Sequence, residues 1–580
     1  MARLEQNGTG IAPGVGIGSA VLVRSHTKSP VPQRKLEPDE VAEAWQRLEA
    51  ARQAAIGRLG EIQSATAREL GIQDAAIYGA QAAVLQDPDA VRDLKRRVLE
   101  EYVAPESAVQ ALLDKFGALF ESLEGGDMKT WAADLRDPWH VVLRELGDEE
   151  EVRAGGAGPL VVVAEELTPT LLTRFPREDI VAVVCTRGGR FSHGAVVARS
   201  FGIPTVSGLD SVHTKVRSGE CCVVLGREGR LLAGATAEEQ EQAARLAEDR
   251  RRMQGALALA AGEPGRTRDG HPVRVLANIE SPRDIDMFDP ATVAGIGLFR
   301  TEFAYMERSS FPTAKEQTQL YAAVLERFPG KPVVFRTLDV GGDKNLRYFH
   351  TPQEANPALG WRGLRLSLEW QDLFLMQLQA LADCRELGNP HVLLPMVTTV
   401  EELLRAKEML ATVVGDGPAL PLGVMIEVPA AAMALEDIVE EVDFVSVGTN
   451  DLTQYLFAVD RDNPWVADLF QPYHPANLRV LAHIGRVCQE AGKPASVCGE
   501  MAGQRPGALF LAGAGFEGLS MAPAFAPEIK ALLREADLDE LRVVAEEAAA
   551  CRTGEEAVER LRTATDGAWE RAMRRLDDRA

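Results

Sequence analysis

GGRFSH, at positions 188–193, joins two segments of opposite character. The apolar run 180–185 (IVAVVC) before it predicts a buried β-strand, and the small residues 195–199 (AVVAR) after it predict a helix. His193 is therefore expected at a strand-to-helix turn, where glycines allow a ligand to approach and free helix N–H groups can hold a phosphate. A neutral imidazole at such a turn can act as a nucleophile that carries a phosphoryl group. The alternative is a turn histidine that is hydrogen-bonded only to backbone.

Strand-like sequence continues on both sides of this turn. Residues 8–24 are glycine-rich and lead into an apolar run, and residues 159–165 (PLVVVAE) and 219–225 (GECCVVL) are apolar and β-branched. The glycines of the first segment lack the GxGxxG spacing of a dinucleotide-binding loop, so they predict a turn followed by a strand. Thr168 follows one of these strands, where its hydroxyl could orient the imidazole of His193 or cap a helix.

A long helical segment interrupts these strands. Residues 31–146 are dominated by Ala, Leu, Glu, Gln and Arg, and Asp87-Pro88 is a typical helix start. The segment is therefore predicted to be an all-helical domain inserted into one small α/β domain, which is formed by residues 1–30 and 147–232.

The rest of the chain predicts a barrel. Residues 233–262 are expected to form a linker helix, because 235–255 are polar with helical spacing. Residues 263–580 alternate strand-like and helical patterns, which predicts a (β/α)8 TIM barrel, with an open doubly wound sheet as the main alternative. The eight strand-like runs are 273–279, 295–299, 333–336, 392–396, 422–426, 444–447, 495–498 and 518–521.

Polar side chains follow the strand-like runs of this segment. Barrel enzymes assemble their sites from such strand ends. Glu427 and Asp451 form a carboxylate pair suited to Mg²⁺, and arginine guanidinium groups match carboxylate and phosphate. Cys498 is either an inert core residue or a proton donor to a carbanion. The strand ends therefore predict a metal site for a small phosphorylated acid, and they carry Arg300, Arg336, Lys344, Glu427, Asn450, Asp451 and Cys498.

Composition limits the class of protein. A length of 580 residues exceeds one hydrophobic core, and the net charge of −23 argues against nucleic-acid or anionic-membrane binding. The seven cysteines show no CxxC spacing, which suits a reducing compartment. No apolar run approaches the roughly 18 residues of a membrane span, and no signal peptide is recognised. We therefore expect a soluble cytoplasmic protein without nucleic-acid partners or membrane insertion.

Seven motifs together resemble one family. They are GGRFSHGAVVARSFGIPTVSG, LFRTEFAYM, FRTLDVGGDK, NPALGWR, MIEVPAA, GTNDLTQYLFAVDRDN and SVCGEMAG. They closely resemble the phosphoenolpyruvate-protein phosphotransferases, the enzyme I family of the bacterial sugar phosphotransferase system. The resemblance runs nearly end to end. It implies a phosphohistidine α/β domain with an inserted helical carrier-binding domain, followed by a linker helix and a dimerising barrel.

The resemblance also implies a reaction. Phosphoenolpyruvate and Mg²⁺ would bind at the barrel mouth, His193 would accept the phosphoryl group through Nε2, and Cys498 would protonate the enolate to give pyruvate. His193 would then pass the phosphoryl group to a histidine of the carrier protein HPr, with Thr168 and Arg199 supporting it. Glu427 and Asp451 would bind Mg²⁺, and the substrate would be held by Arg300, Arg336, Arg362, Lys344, Asn450, Asp451 and Arg461.

Three positions depart from the family pattern. Phe191 stands where the family usually has threonine, which removes a hydroxyl beside the phosphohistidine. Residues 78–81 (YGAQ) lack a histidine often found there, and the family usually has a basic residue near Val141. The last two departures lie in the region expected to dock the carrier.

Two other functions compete with this one. A pyruvate, phosphate dikinase or phosphoenolpyruvate synthase has similar segments but needs a nucleotide-binding domain of several hundred residues, for which the sequence offers neither the length nor a phosphate loop. A protein that senses phosphoenolpyruvate without sustained turnover is the second alternative, which the altered docking region and Phe191 favour. Phosphorylation of a carrier would separate the enzyme from the sensor.

Overall fold

A computed structural model describes residues 3–23, 35–69, 72–121, 126–147, 158–189, 192–306, 308, 310–341, 346, 348–349, 354–461, 463 and 465–577. The chain divides into two compact units, Met1–Arg251 and Arg252–Ala580. Each unit has its own hydrophobic core and is considered separately below.

The first unit contains a mixed eight-stranded sheet. Its strand order is β1-β8-β7-β3-β4-β5-β6-β2, in which β3 to β6 are mutually parallel and the remaining pairs are antiparallel. Sequence analysis anticipated β3, β4, β5 and β7. The strands are β1 (Leu4–Asn7), β2 (Thr9–Ala12), β3 (Val15–Val23), β4 (Leu160–Glu166), β5 (Ile180–Arg187), β6 (Thr205–Ser207), β7 (Cys221–Leu225) and β8 (Arg230–Ala233).

Within the described residues, five helices lie between β3 and β4, where an all-helical insertion was predicted. They are α1 (Val41–Glu69), α2 (Ile72–Leu85), α3 (Pro88–Leu99), α4 (Pro105–Glu121) and α5 (Gly126–Leu146). The start of α3 has the predicted geometry, because the Asp87 side chain accepts a hydrogen bond of 2.8 Å from the Asp89 N–H and Pro88 takes the first helical position. The helices enclose a core of their own that includes Leu48, Leu59, Tyr78 and Trp139.

Three further helices follow the sheet strands. They are α6 (His193–Ser200), α7 (Val212–Lys215) and α8 (Ala237–Ala260). Helix α8 covers the segment predicted as a linker helix and contains the boundary between the two units. It runs beyond the polar residues 235–255 because the sequence after them, ALALA, is strongly helix-favouring.

The second unit is a closed barrel. Within the described residues of this unit, all eight strand pairs are parallel, and the last strand pairs with the first. Closure excludes the open doubly wound sheet and confirms the TIM barrel. The strands are β9 (Arg274–Ile279), β10 (Ile296–Arg300), β11 (Pro332–Arg336), β12 (Asn389–Leu394), β13 (Leu422–Ile426), β14 (Phe444–Val447), β15 (Ala495–Val497) and β16 (Gly518–Met521), each within one of the eight predicted runs or overlapping it.

Helices surround the barrel. They are α9 (Phe303–Met306), α10 (Ala314–Leu325), α11 (Leu364–Glu369), α12 (Gln371–Asp383), α13 (Val400–Val414), α14 (Pro429–Met433), α15 (Leu435–Glu440), α16 (Thr449–Phe457), α17 (Pro475–Glu490), α18 (Arg505–Gly513), α19 (Ala526–Leu533), α20 (Leu538–Ala550) and α21 (Gly554–Asp577). Their apolar faces and the strands form the largest core of the protein. Nowhere in the described ranges is a helix both long and apolar enough to span a bilayer.

Candidate functional site

Charged side chains converge at the carboxyl ends of the barrel strands. Four of them are carboxylates and three are guanidinium groups, and contacts of 2.7–3.8 Å connect them to each other or to backbone. We call this set the carboxylate–arginine cluster. Its members are Glu302, Arg336, Asp339, Arg362, Glu427, Asp451 and Arg461.

Arg336 occupies the last position of β11 and is only 5% exposed. Its Nη2 lies 2.8 Å from Glu302 Oε1, and its Nη1 lies 3.2 Å from Asp339 Oδ2. Burial opposes the charge of Arg336, but these two carboxylates outweigh it and raise the pKa of the guanidinium above its usual value. Removal of Arg336 would leave the buried carboxylate of Glu302 without its cationic partner, at a cost of about 3–5 kcal/mol.

Arg362 joins two carboxylates of the cluster. Its Nε donates to Asp339 Oδ1 at 3.2 Å and its Nη2 to Asp339 Oδ2 at 3.0 Å, a forked pairing. The same Nη2 lies 3.4 Å from Asp451 Oδ2. Arg362 therefore orients the carboxylate of Asp451, and Asp339 fixes the plane of the Arg362 guanidinium group.

Glu427 follows β13 and is 1% exposed. Its Oε1 accepts a hydrogen bond of 2.7 Å from the N–H of Met396, a residue held at a φ of +57°, which non-glycine residues rarely adopt. Gly448 leaves room for the other oxygen, since a Cβ there would lie 2.7 Å from Glu427 Oε2. Burial, followed by the charges of Asp451 and Asp339, raises the pKa of Glu427 to about 8.

Asp451 lies in the first turn of α16, where the helix dipole favours a negative charge. Its Oδ1 is 3.8 Å from Arg461 Nη1. Three of the buried polar atoms in this region that have no hydrogen-bond partner among the described residues are Arg336 Nε, Arg461 Nη1 and Thr449 Oγ1. Two of them are cationic donors, so they can bind the oxygens of an anionic ligand.

Cys498 immediately follows β15 and is buried. Its N–H donates to the Val447 carbonyl of β14 at 3.0 Å, and its own carbonyl accepts from Asn278 Nδ2 of β9 at 2.9 Å, which fixes its backbone from two other strands. Burial raises the pKa of the Cys498 thiol, against the lowering effect of Arg336. The thiol is therefore protonated at neutral pH and can serve as a proton donor.

Arg300 and Asn450 lie outside the buried network. Arg300 ends β10, is 45% exposed and forms an ion pair of 2.7 Å with Glu280. Asn450 Oδ1 accepts a hydrogen bond of 3.3 Å from the Glu500 N–H. Both residues therefore belong to strand-end segments, as predicted, whereas Lys344 lies outside the described residues.

His193 belongs to the first unit. Its backbone begins α6 directly after the turn that follows β5, which confirms the predicted strand-to-helix turn. Ser192 caps this helix, because its Oγ accepts a hydrogen bond of 3.3 Å from the Ala195 N–H. The His193 side chain and Phe191 lie outside the described part of the structure.

The two supporting residues are placed differently. Thr168 precedes the 3₁₀ turn Pro169–Thr173, but its side chain makes no capping hydrogen bond, so the capping alternative is wrong. Burial raises the pKa of Asp137 in α5, and the neighbouring Thr170 and Thr168 side chains oppose that shift. Arg199 is exposed in the last turn of α6. A direct role of either residue toward His193 stays a prediction.

Sequence reasoning missed the acidic partners of the cluster. Glu302 and Asp339 stand inside the motifs FRTE and FRTLDVGGDK, yet only the basic residues Arg300, Arg336 and Lys344 were selected there. Asn278 was also missed, although a polar side chain inside the apolar run 273–279 is a usable signal. The buried ion pairs depend on distances between strands, which the spacing of residues along the chain does not contain.

The residues present fit a divalent cation. Within the described ranges, no group of three or more His, Cys, Asp and Glu side chains is arranged to hold a metal alone. Glu427 and Asp451 nevertheless supply two carboxylates in a cluster with excess negative charge, where a cation could replace the proton that the raised pKa of Glu427 favours. Mg²⁺ is commonly bound by one or two carboxylates, with substrate oxygens and water completing its shell.

Comparisons with known proteins agree with this arrangement. Profiles of PEP-utilising enzymes match residues 7–130 as the N-terminal domain, 157–229 as the mobile domain and 257–538 as the PEP-binding domain. The phosphoenolpyruvate-protein phosphotransferase of Geobacillus stearothermophilus is 37% identical over 95% of this chain and 96% of its own length. Proteins of the same name from Bacillus sp. (strain S) and Listeria innocua are 36% and 35% identical over 95% and 96% of this chain, and over 96% and 98% of their own lengths.

Proposed function

Because this chain belongs to the phosphoenolpyruvate-protein phosphotransferase family, we propose that it performs the first step of a sugar phosphotransferase system. It transfers the phosphoryl group of phosphoenolpyruvate through His193 to a histidine of the carrier protein HPr and releases pyruvate. The observation that carries the proposal is the buried cluster, in which unpartnered donors of Arg336 and Arg461 accompany the carboxylates of Glu427 and Asp451.

Substrate binding follows from the charges of the site. Arg336 and Arg461 have donors available for phosphate or carboxylate oxygens, and Arg300 and Asn450 approach from neighbouring strand ends. Arg362 fixes Asp451, and Lys344 is proposed to contact the substrate as well. Glu427 and Asp451 would hold Mg²⁺, which supplies positive charge that stabilises the transferring phosphoryl group.

Phosphoryl transfer then proceeds in two steps, with protonation of the enolate between them. Nε2 of His193 forms a bond to phosphorus while the bond from phosphorus to the enol oxygen breaks, which leaves the enolate of pyruvate. Cys498 gives its thiol proton to the methylene carbon, which yields pyruvate, and the thiolate regains a proton from solvent. The phosphoryl group finally moves from His193 to the HPr histidine, which restores the free imidazole.

The domain division supports this sequence of steps. We propose that residues 1–30 and 147–232 carry the phosphohistidine, 31–146 bind HPr, 233–262 link the halves and 263–580 bind phosphoenolpyruvate. The relatives are similar to this chain over nearly their whole lengths, which favours a phosphotransferase over a dikinase or synthase with an additional nucleotide-binding domain. We further propose a cytoplasmic location.

The barrel unit is also proposed to form a homodimer. Several large apolar side chains of this unit are exposed, and among them Trp465 is 93%, Met433 79% and Leu359 65% exposed. Exposed apolar side chains of this size commonly mark a protein–protein interface, where a second subunit covers them.

Labelling with phosphoenolpyruvate tests the proposed function. The purified chain is incubated with Mg²⁺ and ³²P-labelled phosphoenolpyruvate, and the labelled position is mapped after acid and alkali treatment. We expect alkali-stable, acid-labile label on His193 that moves to added HPr. Bound phosphoenolpyruvate without any label would contradict the proposal and favour the sensor alternative.

Replacement of Cys498 by alanine tests the proton donor. The variant is expected to bind phosphoenolpyruvate normally but to form pyruvate about a hundredfold more slowly, because a positioned proton donor commonly contributes at least that factor. The exchange of pyruvate methyl hydrogens with deuterated solvent should fall in parallel.

Cys488→Ala is the matched control for this test. Cys488 is a second buried cysteine of the barrel unit, in α17, away from the strand ends. Its replacement should leave pyruvate formation and methyl exchange near wild-type values. An unchanged steady-state rate for Cys498→Ala would remove the proton-donor role.

A further inference from the structure

A buried carboxylate joins the helical insertion to the sheet of the first unit. Asp137, in α5, accepts a hydrogen bond of 2.6 Å from Thr170 Oγ1 on its Oδ1. Its Oδ2 accepts from the Thr170 N–H at 3.2 Å and from Gln81 Nε2 at 2.9 Å. All three residues are buried, so this is an internal contact between the insertion and the turn after β4.

The buried position of Gln81 bears on one departure from the family pattern, the segment 78–81. Gln81 stands in the segment expected to dock a carrier, yet it is 1% exposed and bonds to Asp137. Val141 is likewise buried, in the core of the insertion. Both side chains pack inside the unit, so neither supplies an exposed contact for a docked protein. That the surrounding region docks the carrier stays a prediction.

A second helix of the insertion is hydrogen-bonded to the same 3₁₀ turn. The hydroxyl of Tyr78, in α2, donates to the Pro169 carbonyl at 3.2 Å, and the ring is fully buried. The 3₁₀ turn Pro169–Thr173 is therefore held from α2 and from α5 at once.

The segment that contains this 3₁₀ turn also supports helix α6, which begins at His193. Leu167 precedes the turn, and its N–H donates to the Arg187 carbonyl at the end of β5 at 3.0 Å. Helix α6 packs directly on Leu167: a Cβ added to Gly194 would lie 2.5 Å from the Leu167 carbonyl oxygen. The backbone of His193 is thus positioned by the segment that Asp137 holds.

We propose that Asp137 is a positioning residue that fixes the histidine-bearing segment against the helical insertion, so that the phosphohistidine is presented to a protein docked on that insertion. The inference rests on the proposed function, because it concerns the second transfer of that reaction. The first transfer takes the phosphoryl group from phosphoenolpyruvate bound to the barrel unit and does not require this contact. Loss of Asp137 should therefore separate the two transfers.

The neighbours of Asp137 provide a graded set of variants. Asp137→Ala removes both acceptor oxygens and leaves Thr170 and Gln81 buried without their partner. Asp137→Asn can keep all three contacts, because its amide oxygen at the Oδ2 position accepts from the Thr170 N–H and from Gln81 Nε2, while its NH₂ group donates to the Thr170 hydroxyl oxygen. Thr170→Val removes the hydroxyl alone and changes side-chain volume little, so it remains informative even if Asp137→Ala folds poorly.

Two rates measured on the full-length chain test the proposal. The first is labelling of His193 by ³²P-phosphoenolpyruvate and Mg²⁺, and the second is transfer from the purified phosphoprotein to HPr. We expect Asp137→Ala and Thr170→Val to label at the wild-type rate but to transfer to HPr at least about tenfold more slowly, as loss of a buried hydrogen bond to a charged group allows. The effect should lie in kcat with an unchanged KM for HPr, and Asp137→Asn should recover most of the rate.

Other results of these measurements would contradict the positioning role of Asp137 or the proposed function. Unchanged transfer in both variants, or an equal loss of labelling and transfer, would overturn the positioning role. Transfer by Asp137→Asn as slow as by Asp137→Ala would also contradict it. Wild-type protein that labels but never transfers to HPr would overturn the proposed function itself, and it is recognised before any variant is compared.

Discussion

His193→Ala is expected to form no phosphoprotein at all. In the proposed reaction the His193 imidazole is the only group of this chain that forms a bond to phosphorus, so the chain has no acceptor for the phosphoryl group when this imidazole is removed. Phosphoenolpyruvate binding should be unchanged, because the donors and carboxylates proposed to hold it belong to the barrel unit. Acid-labile ³²P label and calorimetric binding in the presence of Mg²⁺ measure the two properties separately.

A second histidine of the same unit gives the control. His213 lies in α7, where its Nδ1 is 3.0 Å from the Thr186 hydroxyl near the end of β5. His213→Ala should keep the label at its full level. Label retained by His193→Ala, or lost in His213→Ala, would show that a different histidine accepts the phosphoryl group. Loss of phosphoenolpyruvate binding in His193→Ala would contradict the division of labour between the units.

Glu427→Gln is expected to reduce labelling by about a thousandfold while it stabilises the metal-free protein. Glutamine keeps the oxygen that accepts from the Met396 N–H but replaces Oε2 by an amide nitrogen, so the carboxylate pair that we propose for Mg²⁺ is lost. The thousandfold figure is the order of magnitude expected when a major electrostatic contribution to a transition state is removed.

The stability effect has a defined pH dependence. Burial and neighbouring carboxylates raise the pKa of Glu427 to about 8, well above that of a glutamate in an unfolded chain. Its contribution to wild-type stability is therefore fully present in acid and is lost as the pH rises through about 8. Glutamine does not titrate, so the metal-free variant should denature at a higher temperature than wild type at pH 8–9, and the difference should shrink toward pH 5.

Glu441→Gln serves as the control for this charge change. Glu441 forms an exposed ion pair of 2.8 Å with Lys407 on the same unit, so its replacement should alter labelling and thermal stability little. Labelling by Glu427→Gln within tenfold of wild type would exclude Glu427 as a metal ligand. A variant less stable than wild type at pH 9 would show that the carboxylate is not under electrostatic strain.

The barrel could be predicted because its signal is strong and regular. Each of the eight apolar runs is separated by helical sequence, and the residues that follow the runs carry the chemistry, as at Glu427 and Cys498. Strands β6 and β8 were not anticipated, since three or four residues with no clear alternation give no reliable period. Their pairing is decided by neighbouring strands of the sheet.

Contacts between distant segments were beyond the sequence. Asp339 pairs with Arg336 three residues away and with Arg362 on another segment, and only the closed barrel brings the three together. Asp137 is similar: a carboxylate next to Pro138 in a helical segment predicts a surface position, whereas the fold buries it against Thr170. Burial of a charge in each case depends on partners that chain spacing does not identify.

The place where the helical insertion enters the sheet has a consequence for folding. Strands β3 and β4 are adjacent and parallel, with Ser19 opposite Leu160 and Val23 opposite Ala164, so residues 24–159 form the crossover between them. Parallel neighbours always need a crossover, but here an entire domain with a separate core fills that role. Because loop-closure entropy grows only slowly with length, the strands can still pair once the insertion has folded and brought its ends together. A different helical domain with similarly spaced ends could therefore be grafted at this point, and the fold would allow a new acceptor specificity without rebuilding the sheet that carries the histidine.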